Sequence, residues 1–192
     1  MAAQAAMSCH GMPPHYDSIM AKRWGHPVDD TLAQILSSWM RGEGNMPAWL
    51  GLGKRRFSAL LLRHFPGYPI AMFEGLGRPL DEMRSDEFDD LRNLLMRSRS
   101  GRRDSERWMA DIVVAGCMGS DHLWQDLGLW DRSALSRLMM ENFEPLASQN
   151  DRDMKWKKFL YKQLCEAEGI YTCRSPSCEV CADYVVCFGP EH

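Results

Sequence analysis

Val28-Asp29-Asp30-Thr31-Leu32-Ala33-Gln34-Ile35-Leu36-Ser37-Ser38-Trp39-Met40-Arg41-Gly42 sets the pattern for the whole chain. Leu32, Ile35, Leu36 and Trp39 recur at i, i+3, i+4 and i+7, which places them on one face of an α-helix. Gly42 stops the run. Working outward, six more helices follow. Lys54 opens a helix with Phe57, Leu60, Leu61 and Phe65 on one face, and Pro66-Gly67 ends it. Ser85 to Ser98 reads as a third helix, acidic in its first half and Arg-rich in its second, which suits the helix macrodipole. Arg97, Arg99, Arg102, Arg103 and Arg107 are also candidates for a patch that docks an anion or a partner. A fourth helix spans Ser105 to near Cys117 with Trp108, Ile112 and Ala115 inward, and a short one spans Asp121–Leu127 before Gly128. A sixth starts at Asp131 and ends at Pro145. The last starts near Asn150, carries Phe159, Leu160 and Leu164, and ends at Gly169.

No period-two run is long enough for a sheet, and Tyr184-Val185-Val186 is the one strand-like scrap. The expected fold is all-α: a bundle of about six to seven helices with an irregular, cysteine-rich, metal-tied C-terminal loop. Residues 1–27 have no clear period and include Pro13, Pro14 and Pro27, so a loosely ordered segment is expected there. Residues 28–169 form the helical domain, and residues 170–192 form a metal-cluster tail packed on it. A chain of 192 residues is long enough for one self-sufficient core.

The tail carries the chemistry. Cys173-Arg-Ser-Pro-Ser-Cys178-Glu-Val-Cys181-Ala-Asp-Tyr-Val-Val-Cys187 is a C-x4-C-x2-C-x5-C pattern. Thiolate is the softest protein ligand, and four on one short loop point to a soft metal or an iron–sulfur cluster. The C-x4-C-x2-C part matches the first three ligands of plant-type iron–sulfur loops. Structural zinc more often uses two C-x2-C pairs separated by a longer spacer. Disulfides are a third reading, disfavoured by an odd count of seven cysteines and no recognisable secretory signal. Cytoplasmic placement is the expectation, because clustered cysteines in a reducing compartment serve as ligands or redox groups. Such a tail has too little apolar surface to order itself, so the metal would supply its order.

Two residues outside the tail are candidate ligands. Cys165 lies on the last helix, eight residues before Cys173, as a fifth thiolate or a small buried hydrophobe. His122 follows Asp121 in Gly116-Cys117-Met118-Gly119-Ser120-Asp121-His122, where a carboxylate could orient the ring for metal. A lone His at a helix start is also an ordinary hydrogen-bonding residue. Cys117 fits packing inside its helix. Arg152, Lys155, Lys157 and Lys158 lead into the tail as a solvated face, or as charges that offset a cluster or guide an oxyanion.

Several classes are excluded or disfavoured. A net charge of −3 argues against nucleic acid as the main partner. No stretch approaches the roughly 18 apolar residues of a membrane span. Lys54-Arg55-Arg56-Phe57 lies deep in the chain and starts a helix, so it is not read as an export signal. The Gly42–Gly53 loop lacks the Gly-Lys-Ser/Thr ending of a nucleotide loop. Neither a nucleophile with a base nor an acid–base pair stands out, so no enzyme is expected.

The tail sequence from Cys173 to Cys187-Phe-Gly resembles the C-terminal signature of the NifQ family of nitrogen-fixation proteins. Met154-Lys-Trp-Lys-Lys-Phe-Leu-Tyr-Lys-Gln-Leu-Cys165-Glu resembles the same family, as does Asp121-His122-Leu-Trp-Gln-Asp-Leu-Gly-Leu-Trp130. The likeness runs from about Arg103 to the end, and more loosely over the helices from residue 28. It implies a metallochaperone that holds molybdenum in an iron–sulfur cluster and donates it to iron–molybdenum cofactor synthesis for nitrogenase. It carries Cys173, Cys178, Cys181 and Cys187 over as cluster ligands, with no departure in spacing. It implies molybdate as the metal source, and the scaffold complex and the nitrogenase iron protein as partners. His122 and Cys165 lie in matching segments without being fixed as ligands. Two other classes remain open: an electron-transfer or regulatory iron–sulfur protein without molybdenum, and a zinc-stabilised interaction module.

Overall fold

The computed structural model describes residues 15–79, 85–167 and 184–189. Among these there is no strand, only an isolated bridge between Pro47 and Arg78, and the architecture is all-α with ten helices. The seven expected helices appear as α2 (Asp29–Met40), α3 (Gly53–His64), α4 (Ser85–Arg97), α5 (Glu106–Cys117), α6 (Leu123–Leu127), α7 (Arg132–Asn142) and α9 (Trp156–Ala167). Three short ones are added: α1 (Tyr16–Met20), α8 (Glu144–Ala147) and α10 (Tyr184–Phe188).

Each addition has a local cause. In α1, Tyr16 and Ile19 are buried, which differs from the loose order expected across residues 1–27; residues 1–14 lie outside the described residues. Pro145 does not end a helix but starts α8, where its missing N–H costs nothing. The strand-like Tyr184-Val185-Val186 is helical, a correction that β-branched composition over three residues could not anticipate. The last long helix starts at Trp156 and not near Asn150. Asn150 closes a turn instead, its Oδ1 accepting from the Met154 N–H at 2.9 Å and its Nδ2 donating to the Met154 carbonyl at 2.9 Å.

α5 is the central helix. Met109 through Cys117 are all buried, so this helix is covered on every side. Trp108, expected inward, is only half-buried and lines a surface groove. Asp111 sits in the buried stretch and survives there because Arg56 from α3 and Arg92 from α4 both pair with its carboxylate. α2 is nearly as buried, and its Trp39 packs on Phe57 and Phe73 at ring separations of 5.8 Å and 5.7 Å.

Two contacts fix the end of the bundle where α5 runs into α6. Gly44 approaches α6 so closely that a Cβ there would lie 2.9 Å from the Asp126 carbonyl oxygen and the Gly128 nitrogen. The neighbouring Asn45 N–H donates to the Asp126 carbonyl at 2.7 Å. Gly128 closes α6 in the left-handed region at φ 74°, as an αL cap requires. The Gly-rich loop read at residues 42–53 thus serves as a brace for α6.

Candidate functional site

The loop Met118–Asp121 leaves the central helix and turns into α6 over a buried carboxylate. Asp126 is fully buried. Its Oδ2 accepts from the Asp121 N–H at 3.1 Å and pairs with the Lys157 ammonium of α9. Lys157 also donates to the Gly119 carbonyl at 2.8 Å. One lysine therefore ties α9 to both ends of the turn. Gly119 is required by the same packing, since a Cβ on it would fall inside the Asp126 carboxylate. His122, half-buried, is the N-cap of α6 in extended backbone (φ −63°, ψ 145°), and its N–H donates to Gln125 Oε1 at 3.2 Å. This holds the imidazole at the rim of a cavity of about 490 Å3.

Asp121, His122 and Gln125 line one side of the cavity, and Lys155, Lys157 and Lys158 line the other. Lysines in the first turn of a helix oppose its macrodipole, so each needs a reason to be there. Asp126 supplies it for Lys157. Among the described residues, neither Lys155 nor Lys158 has a carboxylate within ion-pair distance. Two uncommitted ammonium groups and an imidazole thus converge on one open cavity, and the exposed Asp121 offsets them only in part. The reading of Lys155, Lys157 and Lys158 as one solvated face is corrected here: Lys157 is a structural cation, 18% exposed, and only the other two remain for a ligand.

The described part of the tail meets this cavity. α10 seats against the start of α9, where the Lys155 N–H donates to the Cys187 carbonyl at 2.9 Å. Val186 joins the cavity lining. Cys187 is half-buried, and its helix stands beside the wall that carries Lys155. Cys173, Cys178 and Cys181 lie outside the described residues. Cys165 is half-buried near the far end of α9. It is eight residues from Lys157, about 12 Å along the axis at 1.5 Å per residue, and does not line the cavity. Cys117 is buried at the end of α5, as packing predicted. Among the described residues no three His, Cys, Asp or Glu side chains gather as a metal site. Of the described side chains that could donate to a metal, Asp121 and His122 line the cavity.

Sequence reading missed the Asp126–Lys157 pair and the need for Gly119. The one available signal was an acidic residue inside the apolar run Leu123-Trp124-Gln125-Asp126-Leu127. An Asp at that place is either exposed or paired, and α6 gives no indication of which.

No helix among the described residues is long and apolar enough to cross a membrane. No solved structure matches this chain. Protein NifQ of Azotobacter vinelandii is 46% identical over 170 residues, covering 83% of this chain and 87% of that protein. Protein NifQ of Rhodobacter capsulatus is 35% identical over 160 residues, covering 83% and 87%. Protein NifQ of Klebsiella pneumoniae is 32% identical over 179 residues, covering 84% and 99%. The NifQ family profile matches residues 31–189, which takes in the helical body, the Asp121-His122 turn and all four tail cysteines, and the chain belongs to the NifQ family of nitrogen-fixation proteins.

Proposed function

We propose that this protein is a metal carrier and not a catalyst: it holds molybdenum in an iron–sulfur cluster on Cys173, Cys178, Cys181 and Cys187 and donates it to iron–molybdenum cofactor synthesis. The cluster is cargo. The observation that carries the reading is the convergence of α10, which bears Cys187, with His122 and the two uncommitted lysines at one open cavity. Molybdenum reaches a cell as an oxyanion. An oxyanion is matched by Lys155, Lys158 and the imidazole, whereas its reduced, sulfur-bound form is matched by thiolates. The cavity would receive the first form, and the tail would hold the second. An open, surface position suits exchange, because a recipient's ligands can replace the thiolates one at a time. The partners in this reading are the scaffold complex and the nitrogenase iron protein, and the reducing cytoplasm is its compartment.

The test is metal analysis and absorption of anaerobically isolated protein and two sets of variants. Brown protein with iron, sulfide and molybdenum is expected from the wild type. Cys178→Ser or Cys181→Ser should lose most of the iron while far-UV circular dichroism stays near wild type, because the described core is built from helices of the body. His122→Ala should lower the molybdenum-to-iron ratio, and Cys165→Ala should leave it unchanged. Stoichiometric zinc without sulfide would sink the carrier reading in favour of a zinc-stabilised module. Iron and sulfide that never take up molybdenum would favour electron transfer.

A further inference from the structure

The far end of α5 presents a second surface, built from different elements. Trp24 is 68% exposed and Leu62 is 71% exposed. Scattered exposed apolar groups are ordinary, but these two share a groove of about 600 Å3 with Ala59, Pro66 and Trp108. Arg63 stands on its wall and also on that of a neighbouring hollow holding Arg99, Arg102 and Arg103. Arg107 and Trp108 border a third. An apolar groove with aromatic walls is thus rimmed by arginines, in a chain whose net charge is −3.

Not all of these arginines are free to act outward. Arg56 and Arg92 clamp Asp111, and Arg102 pairs with Glu144. Among the described residues, Arg63, Arg103 and Arg107 have no ion-pair partner. Among the described residues, exposed Asp104 is the one carboxylate that lines the neighbouring hollows.

Two buried carboxylates hold this surface in shape. Glu106 is fully buried and accepts from the N–H groups of Gly101, Arg102 and Arg103 at 2.8, 2.8 and 3.0 Å, which fixes the loop that presents the arginines. Asp29, also buried, accepts from the Gly25 and His26 N–H groups at 2.8 Å and meets the His64 ring at 2.7 Å. The Trp24 N–H then donates to the His64 carbonyl at 2.8 Å. Both loops are preorganised, which removes an ordering cost that a flexible surface would face on binding. Exposed aromatic and apolar side chains with an arginine rim are the composition of a recognition surface.

We propose that this face docks an acidic protein segment that inserts an apolar side chain between Trp24, Leu62 and Trp108 while its carboxylates meet Arg63, Arg103 and Arg107. Trp108 and Cys117 are nine residues apart on α5, so the face lies about 14 Å along that helix from the turn bearing His122. A partner held here leaves the His122 turn accessible. The inference does not depend on the metal reading.

The test is fluorescence anisotropy of the full chain with a short labelled peptide pairing Glu with Leu at i, i+3 and i+4 spacing. Its comparators are a scrambled peptide, a version with Lys for Glu, and oligothymidylate. The Glu–Leu peptide is expected to bind best and to weaken with salt. Arg63→Glu with Arg107→Glu should weaken it at least about tenfold, which is roughly 1.4 kcal/mol. Leu62→Asp should weaken it comparably. These side chains are exposed, so the variants should melt near wild type. If one does not, Arg103→Glu with Trp24→Ala replaces it. Equal binding of the scrambled peptide, or indifference to Leu62→Asp, overturns the proposal. Tighter binding of oligothymidylate, lost in the same variants, assigns the face to nucleic acid instead. A concentration-dependent dimer abolished by Leu62→Asp assigns it to a second copy of the chain.

Discussion

Removing the Lys157 ammonium should destabilise the protein far more than removing either neighbouring lysine. Asp126 has no exposed surface, and its Oδ1 has no partner other than the charge beside it. Lys157→Met would leave that carboxylate buried with only the Asp121 N–H at 3.1 Å. Breaking a buried pair from one side costs about 3–5 kcal/mol. The Lys157 side chain is 18% exposed, so some water can reach the remaining charge, and the lower bound of about 3 kcal/mol applies. In a protein of this size each kcal/mol moves Tm by roughly 2–4 °C, which gives a drop of about 6–12 °C. Lys155→Met and Lys158→Met, which leave no buried charge behind, should stay within about 0.5 kcal/mol. The double variant Asp126→Asn with Lys157→Met keeps an acceptor for Asp121 and removes the stranded charge, so it should regain more than half of the loss. Thermal melts by circular dichroism at one fixed salt concentration are sufficient. A Tm change below about 2 °C for Lys157→Met, or one matching Lys158→Met, would show that solvent screens this pair. A double variant as unstable as the single would show that stranded charge is not the cause.

Gly119→Ala should lower stability by about 1–3 kcal/mol, because its Cβ must displace the Asp126 carboxylate; urea unfolding measures this, and a neutral result would mean that the turn opens freely. Asp29 should make the protein acid-sensitive. Burial alone would raise its carboxyl, but hydrogen bonds from His64, Gly25 and His26 bring it below the ordinary 3.8. A folded value below the unfolded one contributes stability that is complete above the unfolded value and is lost as pH falls through the folded one. The stability gap between wild type and Asp29→Asn, read from urea midpoints, should therefore be constant at neutral pH and narrow below about pH 4. A gap that does not change with acid would contradict the assignment.

The legible part of this protein is set by period and punctuation. Apolar residues at 3.6-residue spacing named α2, α3, α5, α7 and α9, because a helix that buries one face must write that face into its sequence; charge polarity named α4, and its closing Gly128 named α6. Gly42, Gly67 and Gly128 marked ends for the same local reason. Short elements had no such signal. Tyr16–Met20 and Tyr184–Phe188 hold too few residues for a period, and their helicity follows from what they pack against. The cysteine spacing and the Asp121-His122 turn carried the family likeness, since ligand spacing is a sequence property.

Tertiary structure decided which charges are committed. Lys155, Lys157 and Lys158 look alike in the chain, yet among the described residues only Lys157 meets a carboxylate, because Asp126 arrives from α6, thirty-one residues away. Arg56 and Arg92 are likewise taken by Asp111, while Arg63, Arg103 and Arg107 are left facing outward. Spacing along a chain fixes which residues can share a helix face. Which groups meet across helices, and so which are buried, paired or left to bind something else, depends on long-range packing that no local window contains.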